Sequence, residues 1–267
     1  MKTGPAAPIH SPVRHAPAPP GSGASDGEPS LPSQPVAGDT RLLASARHTW
    51  ILVAIVLGIA AVGAFGAGRA GGAPATTRVP QYLALIAAEW LLLRYTLAGV
   101  RRRGLGLRDL IGERWGSLRG TFVALGVAAL FWLLASVVLD ALKSALDHAD
   151  SARVLEARRL TALVAPHGVV EAALWIALSI SAGFCEEVVF RGYLQRQFAA
   201  LARHPVVGVV GSALVFGVSH GYQGPRSVLI VTIYGLLFGG LAQGTRSLRP
   251  GIAAHAWQDL FAGLIRR

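Results

Sequence analysis

Glu186 and Glu187 stand side by side near the end of a long apolar stretch, and Arg191 follows four residues after the second. His220 closes a shorter apolar stretch, while His255 and Asp259 lie within the last one. An ionisable group inside a bilayer costs about 2.5–3.5 kcal/mol on insertion scales, so each needs a partner or a task. On a helix Glu187 can pair with Arg191 one turn on. Glu186 is then rotated away by about 100° and is free to face something else. A carboxylate with no counter-ion in a low-dielectric setting suits general acid or base work near neutrality. His255 and Asp259 share one helix face, and Phe216 shares another with His220, so its ring can wall off the imidazole. Glu186 and His220 each lie roughly 17 residues from a turn near Arg203, which brings them to similar depth. Glu186, His220, His255 and Asp259 form the candidate catalytic constellation. Glu186, His220 and His255 could also hold zinc, with a water in the open position. The HExxH pair that sets two ligands and a base on one helix is absent, and metal-free glutamate chemistry fits the same residues.

The elements that must position these groups are read from composition. Of 267 residues, 52% are hydrophobic and 15% charged, with a mean hydropathy of +0.49. That balance excludes an ordinary soluble domain and a disordered regulator, leaving an integral membrane protein. Apolar runs cover Trp50 to Gly68, Gln81 to Val100, Thr121 to Leu142 and Val169 to Phe190. These four meet the ~20 residues that a bilayer requires. Three shorter runs, Val206 to Val218, Val228 to Ala242 and Ile252 to Ile265, have the size of buried, tilted or re-entrant helices. The expected fold is all-α and polytopic, with seven or eight transmembrane helices and segment 152–165 ambiguous. Residues 1–45 read as a Pro/Gly/Ser-rich tail without a signal peptide's apolar stretch. Residues 46–165 hold the first membrane helices, and 166–267 the catalytic core.

The net charge is +11, and arginines crowd between the second and third runs, at Arg101, Arg102, Arg103, Arg108, Arg114 and Arg119. A loop so basic belongs in the cytoplasm, and with seven spans the amino-terminal tail does too. The basic excess is assigned to topology and anionic lipid, not to nucleic acid. A single cysteine, Cys185, excludes an internal disulfide and reads as a small core residue. Glu89 with Arg94 reads as an internal pair, Glu171, Asp140 and His167 as interfacial anchors, and His10, His15, His48, His148 and His204 as solvent-facing. Pro205 and Pro250 fit first helical turns. Gly208 with Ser212, and Gly235 with Gly239, allow helices to pack backbone to backbone. His255 lies only five residues past Pro250, whereas His220 is at the far end of its helix. Their meeting requires residues 191–204 to project beyond the membrane, or short helices to tilt.

The stretch Glu186-Glu187-Val188-Val189-Phe190-Arg191, then Phe216-Gly217-Val218-Ser219-His220 and His255-Ala256-Trp257-Gln258-Asp259, resembles the EExxxR, FxxxH and HxxxN/D series. That series marks the CAAX-processing and bacteriocin-immunity (Abi) family of intramembrane proteases, and the resemblance covers roughly residues 168–263. It implies an all-helical membrane endopeptidase in which Glu186 with His220 activates a water. His255 and Asp259 would stabilise the oxyanion or position substrate, and Glu187 with Arg191 would hold the site's shape. Where the family often has Asn, this chain has Asp259, which in ionised form cannot donate a hydrogen bond. The implied partners are the bilayer and a membrane-associated protein or peptide; the implied location is a bacterial plasma membrane. The rival from another class is a non-catalytic immunity or scaffold protein of the same fold. A transporter is weakened by the lack of an inverted repeat, and a Ser219 protease by the glutamate series.

Overall fold

The computed structural model describes residues 1, 4, 41–69, 77–112, 117–149 and 165–264, and the helices lie within one unit, Gly38–Arg267. Among the described residues there is no β-strand. The chain runs α1 (Ala46–Arg69), α2 (Val79–Arg101), the short α3 (Leu107–Ile111) and α4 (Leu118–Ala149). A long rod follows, built from α5 (Val169–Glu186), a π-helical stretch (Glu187–Gln195) and α6 (Arg196–Ala202). Then come α7 (Pro205–Ser219), a 3-10 turn (Gly221–Gln223), α8 (Pro225–Thr245) and α9 (Arg249–Leu264). The ambiguous segment 152–164 and most of the tail fall outside the described residues.

Five stretches are long and apolar enough to cross a membrane: Ala46–Gly66, Val79–Arg101, Leu118–Leu146, Val169–Ala202 and Pro225–Thr245. The protein is therefore an all-α polytopic membrane protein. Pro225–Thr245 corrects the reading of the Val228 to Ala242 run as too short, because the helix gains a turn at its start from Pro225, which needs no N–H there. α7 and α9, at 15 and 16 residues, stay shorter than a full span. Outward faces carry lipid-suited side chains such as Trp50, Phe65, Leu91, Phe122 and Val137, all exposed.

The rod is the hub. Every residue of its π-helical stretch is buried, and α2, α7 and α9 pack against it. Residues 191–202 are helical and not a loop, since the rod continues to Ala202 and turns only at Arg203, in the left-handed region. Gln195 and Gln197 find buried partners there, and Ser212 bonds the rod just before them. Ser212 Oγ donates to the Phe190 carbonyl at 2.7 Å, and Gln195 Nε2 to that of Gly239 at 3.1 Å. Gln197 clamps the chain before α1, accepting from the Leu43 N–H and donating to the Ala44 carbonyl, both at 2.8 Å. His48 corrects the solvent-facing reading: it is buried and stacks on Tyr95 at 4.1 Å. Glu171 is likewise buried, accepting from Thr77 Oγ1, the Arg78 N–H and the His167 N–H, and so ties the start of α2 to the start of α5.

Where α5 and α9 cross, the backbones nearly touch. A Cβ at Gly183 would stand 2.8 Å from the Ala256 nitrogen and 3.0 Å from the Ile252 carbonyl oxygen. Gly183→Ala is therefore expected to push α9 outward and destabilise the protein by about 1–3 kcal/mol, the usual cost of overpacking. Thermal melting in detergent measures this; an unchanged midpoint would contradict so tight a crossing.

Candidate active site

The Gly183 crossing sets Glu186 and Glu187, one turn further along, opposite His255. His255 is buried, and its Nδ1 lies 3.0 Å from Glu187 Oε1. Because a carboxylate only accepts, that nitrogen carries the proton. The same Oε1 lies 3.0 Å from Arg191 Nη1, and both of those side chains are 1% exposed. Arg191 in turn lies over the Phe216 ring at 4.2 Å. Glu187 is thus more than half of an ion pair, since it also fixes the tilt and tautomer of an imidazole 68 residues away.

The other nitrogen, His255 Nε2, faces Glu186 Oε2 at 3.6 Å and Asp259 Oδ2 at 3.7 Å. These two carboxylates are less buried than Glu187 and reach into a cavity of about 510 Å³. Phe216, Tyr234 and Phe238 form an aromatic collar round His255, with centroids 6.1, 5.9 and 5.4 Å away. Such a collar limits water, so the charges it encloses act on each other strongly.

His220 caps the end of α7. Its Nδ1 lies 3.0 Å from the Phe216 carbonyl oxygen and 3.1 Å from Ser219 Oγ, and its ring meets the edge of Phe216 at 4.9 Å. Bonding through Nδ1 leaves Nε2 for other work. His220 lines the same cavity as Glu186, His255 and Asp259. All four members of the constellation are therefore gathered round one space. The direct partner of Glu186 is His255, and no hydrogen bond or ion pair joins Glu186 to His220 among the described residues. Ser219 donates to the Phe216 carbonyl at 2.7 Å.

Among the described residues, no three His, Cys, Asp or Glu side chains are grouped so as to hold a metal ion. Nδ1 of His220 and of His255 is engaged, by the Phe216 carbonyl and by Glu187, which leaves Nε2 of each ring as the nitrogen open to another partner.

Two residues not counted among the candidate site residues also line this cavity, Glu89 and Tyr234. Glu89 on α2 makes no pair with Arg94, and its Oε2 is buried without a hydrogen-bond partner. Its signal was available, since a carboxylate inside an apolar run invites the same question as Glu186. Tyr234 is 8% exposed, and its hydroxyl is buried and also lacks a partner. An aromatic within an apolar run gives no such signal. Of the remaining histidines, His204 is exposed, and the side chains of His10, His15 and His148 are outside the described residues.

The fold and this cavity define a class: an all-helical membrane protein with a carboxylate–imidazole cluster walled in between its helices. Residues 168–261 match the family model described as Rce1-like, type II CAAX prenyl endopeptidase Rce1-like. The match bears out the resemblance drawn from the three motifs: the segment from Gly168 to Phe261 is similar to the CAAX-protease family, which that model describes as endopeptidases. Neither a curated protein nor a solved structure matches the chain.

Proposed function

We propose that the protein is an intramembrane endopeptidase that hydrolyses a peptide bond in a membrane-associated protein or peptide. The observation that carries this is the convergence of Glu186, His220, His255 and Asp259 on one cavity within the bundle. Glu186 takes a proton from a water whose oxygen attacks the scissile carbonyl carbon. The C=O π pair moves onto oxygen, and that oxyanion needs a donor. In its doubly protonated form His255, held through Nδ1 by Glu187, offers Nε2–H for this purpose. As the tetrahedral intermediate collapses, the C–N bond breaks and the proton taken by Glu186 passes to the leaving nitrogen, directly or through His220. A carboxylic acid and an amine result. Asp259, 3.7 Å from His255 Nε2, orients and balances that ring. The chemistry proposed is metal-free, with Glu186 as base.

The proposed setting is the plasma membrane of a bacterium, with the arginine-rich loop after α2 and the amino-terminal tail in the cytoplasm. The bilayer and the substrate are the partners, and nucleic acid is not one.

The test compares peptide fragments released from membranes holding the wild type or Glu186→Ala. Fragments unique to the wild type support a protease, and their ends report where it cuts. Identical fragments from equally abundant, folded proteins would favour the immunity or scaffold reading. Added chelator is expected to leave the wild-type fragments unchanged; a loss of ~10-fold or more, restored by zinc, would replace the metal-free route with a zinc one.

A further inference from the structure

We infer that the cavity takes a substrate bearing a basic side chain, lysine or arginine, close to the bond to be cut, and that Glu89 selects it. The inference rests on the protease reading for the term "substrate" but concerns binding. Glu89 comes from α2, outside the segment that matches the family. Its height is fixed by its neighbour: Trp90 Nε1 donates to Ser181 Oγ at 3.0 Å, and the Trp90 ring lies 6.0 Å from Phe184, two residues before Glu186. Glu89 therefore borders the cavity at the level of the proposed base.

Charge counting then points to a cation. The acidic groups bordering the cavity are Glu89, Glu186 and Asp259; behind them, Glu187 is matched by Arg191. His255 serves Glu186, Glu187 and Asp259 together. The cations Lys143 and Arg226 also border the cavity: Lys143 lies 3.8 Å from Asp140, and Arg226 donates from Nη2 to the Lys143 carbonyl at 3.5 Å while its Nε is buried without a hydrogen bond. His220 is bonded through Nδ1 to the Phe216 carbonyl. Glu89 is left with no hydrogen bond and no ion pair among the described residues, and only its Oε2 is sealed from solvent. A carboxylate in low dielectric without a partner is costly, and a group that enters the cavity with positive charge removes that cost. The walls suit the same guest. Trp175, Phe216, Tyr222 and Tyr234 present aromatic rings, which attract ammonium and guanidinium groups. The unpartnered, nine-tenths buried Tyr234 hydroxyl adds an acceptor.

The experiment uses the full chain in nanodiscs of zwitterionic lipid, so that basic peptides gain nothing from the bilayer surface. The probes are fluorescent, palmitoylated Leu/Ala peptides with one position at a time set to lysine, arginine, norleucine or citrulline, and anisotropy reads the binding. At one or two positions lysine and arginine peptides are expected to bind ~10–100-fold more tightly than their neutral counterparts. In Glu89→Gln, checked for its melting temperature, that ratio is expected to fall below ~3. Equal binding in the wild type would overturn the inference without any variant, as it would if a proton neutralised Glu89 instead. A preference that survives Glu89→Gln would overturn it as well. Cleavage is followed in the same samples: selective binding without cleavage would sink the protease reading and keep the basic-residue site.

Discussion

Membranes containing Glu186→Gln are expected to release the wild-type fragments ~10²–10⁴-fold more slowly, the range in which a positioned proton acceptor contributes to a rate. Glutamine keeps the shape and the polar reach of glutamate but cannot take a proton from water. Folding should be little affected, because Glu186 reaches the cavity with its side chain 21% exposed and holds no hydrogen bond in the network behind His255. The loss should fall on kcat, with KM nearly unchanged, because water activation is felt in the transition state. Single-turnover release from nanodiscs separates the two. A rate within ~3-fold of wild type would remove Glu186 from the role of base. Asp259 or Glu89 would then be the carboxylates to test in its place.

Glu187→Ala should produce a different failure. It removes the acceptor shared by Arg191 and His255, all three being almost wholly buried. A buried guanidinium that loses its carboxylate keeps only the weak contact to the Gly235 carbonyl at 3.5 Å and the faces of Phe216 and Phe238. Breaking one side of a buried pair costs about 3–5 kcal/mol, against about 1 kcal/mol for an exposed one. Desolvation decides the outcome here, because the charge left behind cannot reach water. Glu187→Ala is thus expected to lower the melting temperature sharply and the yield with it. Glu187→Gln, which preserves an acceptor for His255 Nδ1, should cost less stability while still loosening Arg191. Melting curves of the two variants in one detergent check this, and an unchanged midpoint for Glu187→Ala would show that the pair does not hold the core.

The two glutamates illustrate what could be read in advance. The i, i+4 relation of Glu187 to Arg191 is visible in the sequence, and so is the rotation that separates Glu186 from Glu187. The bond from Glu187 to His255 is not visible, because it depends on how closely α5 and α9 approach at Gly183. No one-dimensional spacing carries that information. Helix ends fail for a related reason. The fourth apolar run stops at Phe190, yet the helix continues to Ala202 because Gln195 and Gln197 meet buried carbonyl and amide groups of distant segments. Hydropathy reports what a side chain would meet in lipid, and these side chains never meet lipid. Glu89 was misjudged through its nearest cation in sequence, Arg94, whereas its environment is set by the neighbours of Trp90 across the helix interface.

The π-helical stretch also sets a rotational phase. Bonding i→i+5 in place of i→i+4 advances the chain by less than 100° per residue, so α6 is turned relative to where a regular continuation of α5 would aim it. One end of the rod presents Glu186 to the cavity while the other presents Gln197 to Leu43 and Ala44, and a uniform α-helix of the same residues would set a different angle between them. The rod therefore works as a fixed angular coupling, in which the count of residues between the glutamates and the clamp matters as much as their identity.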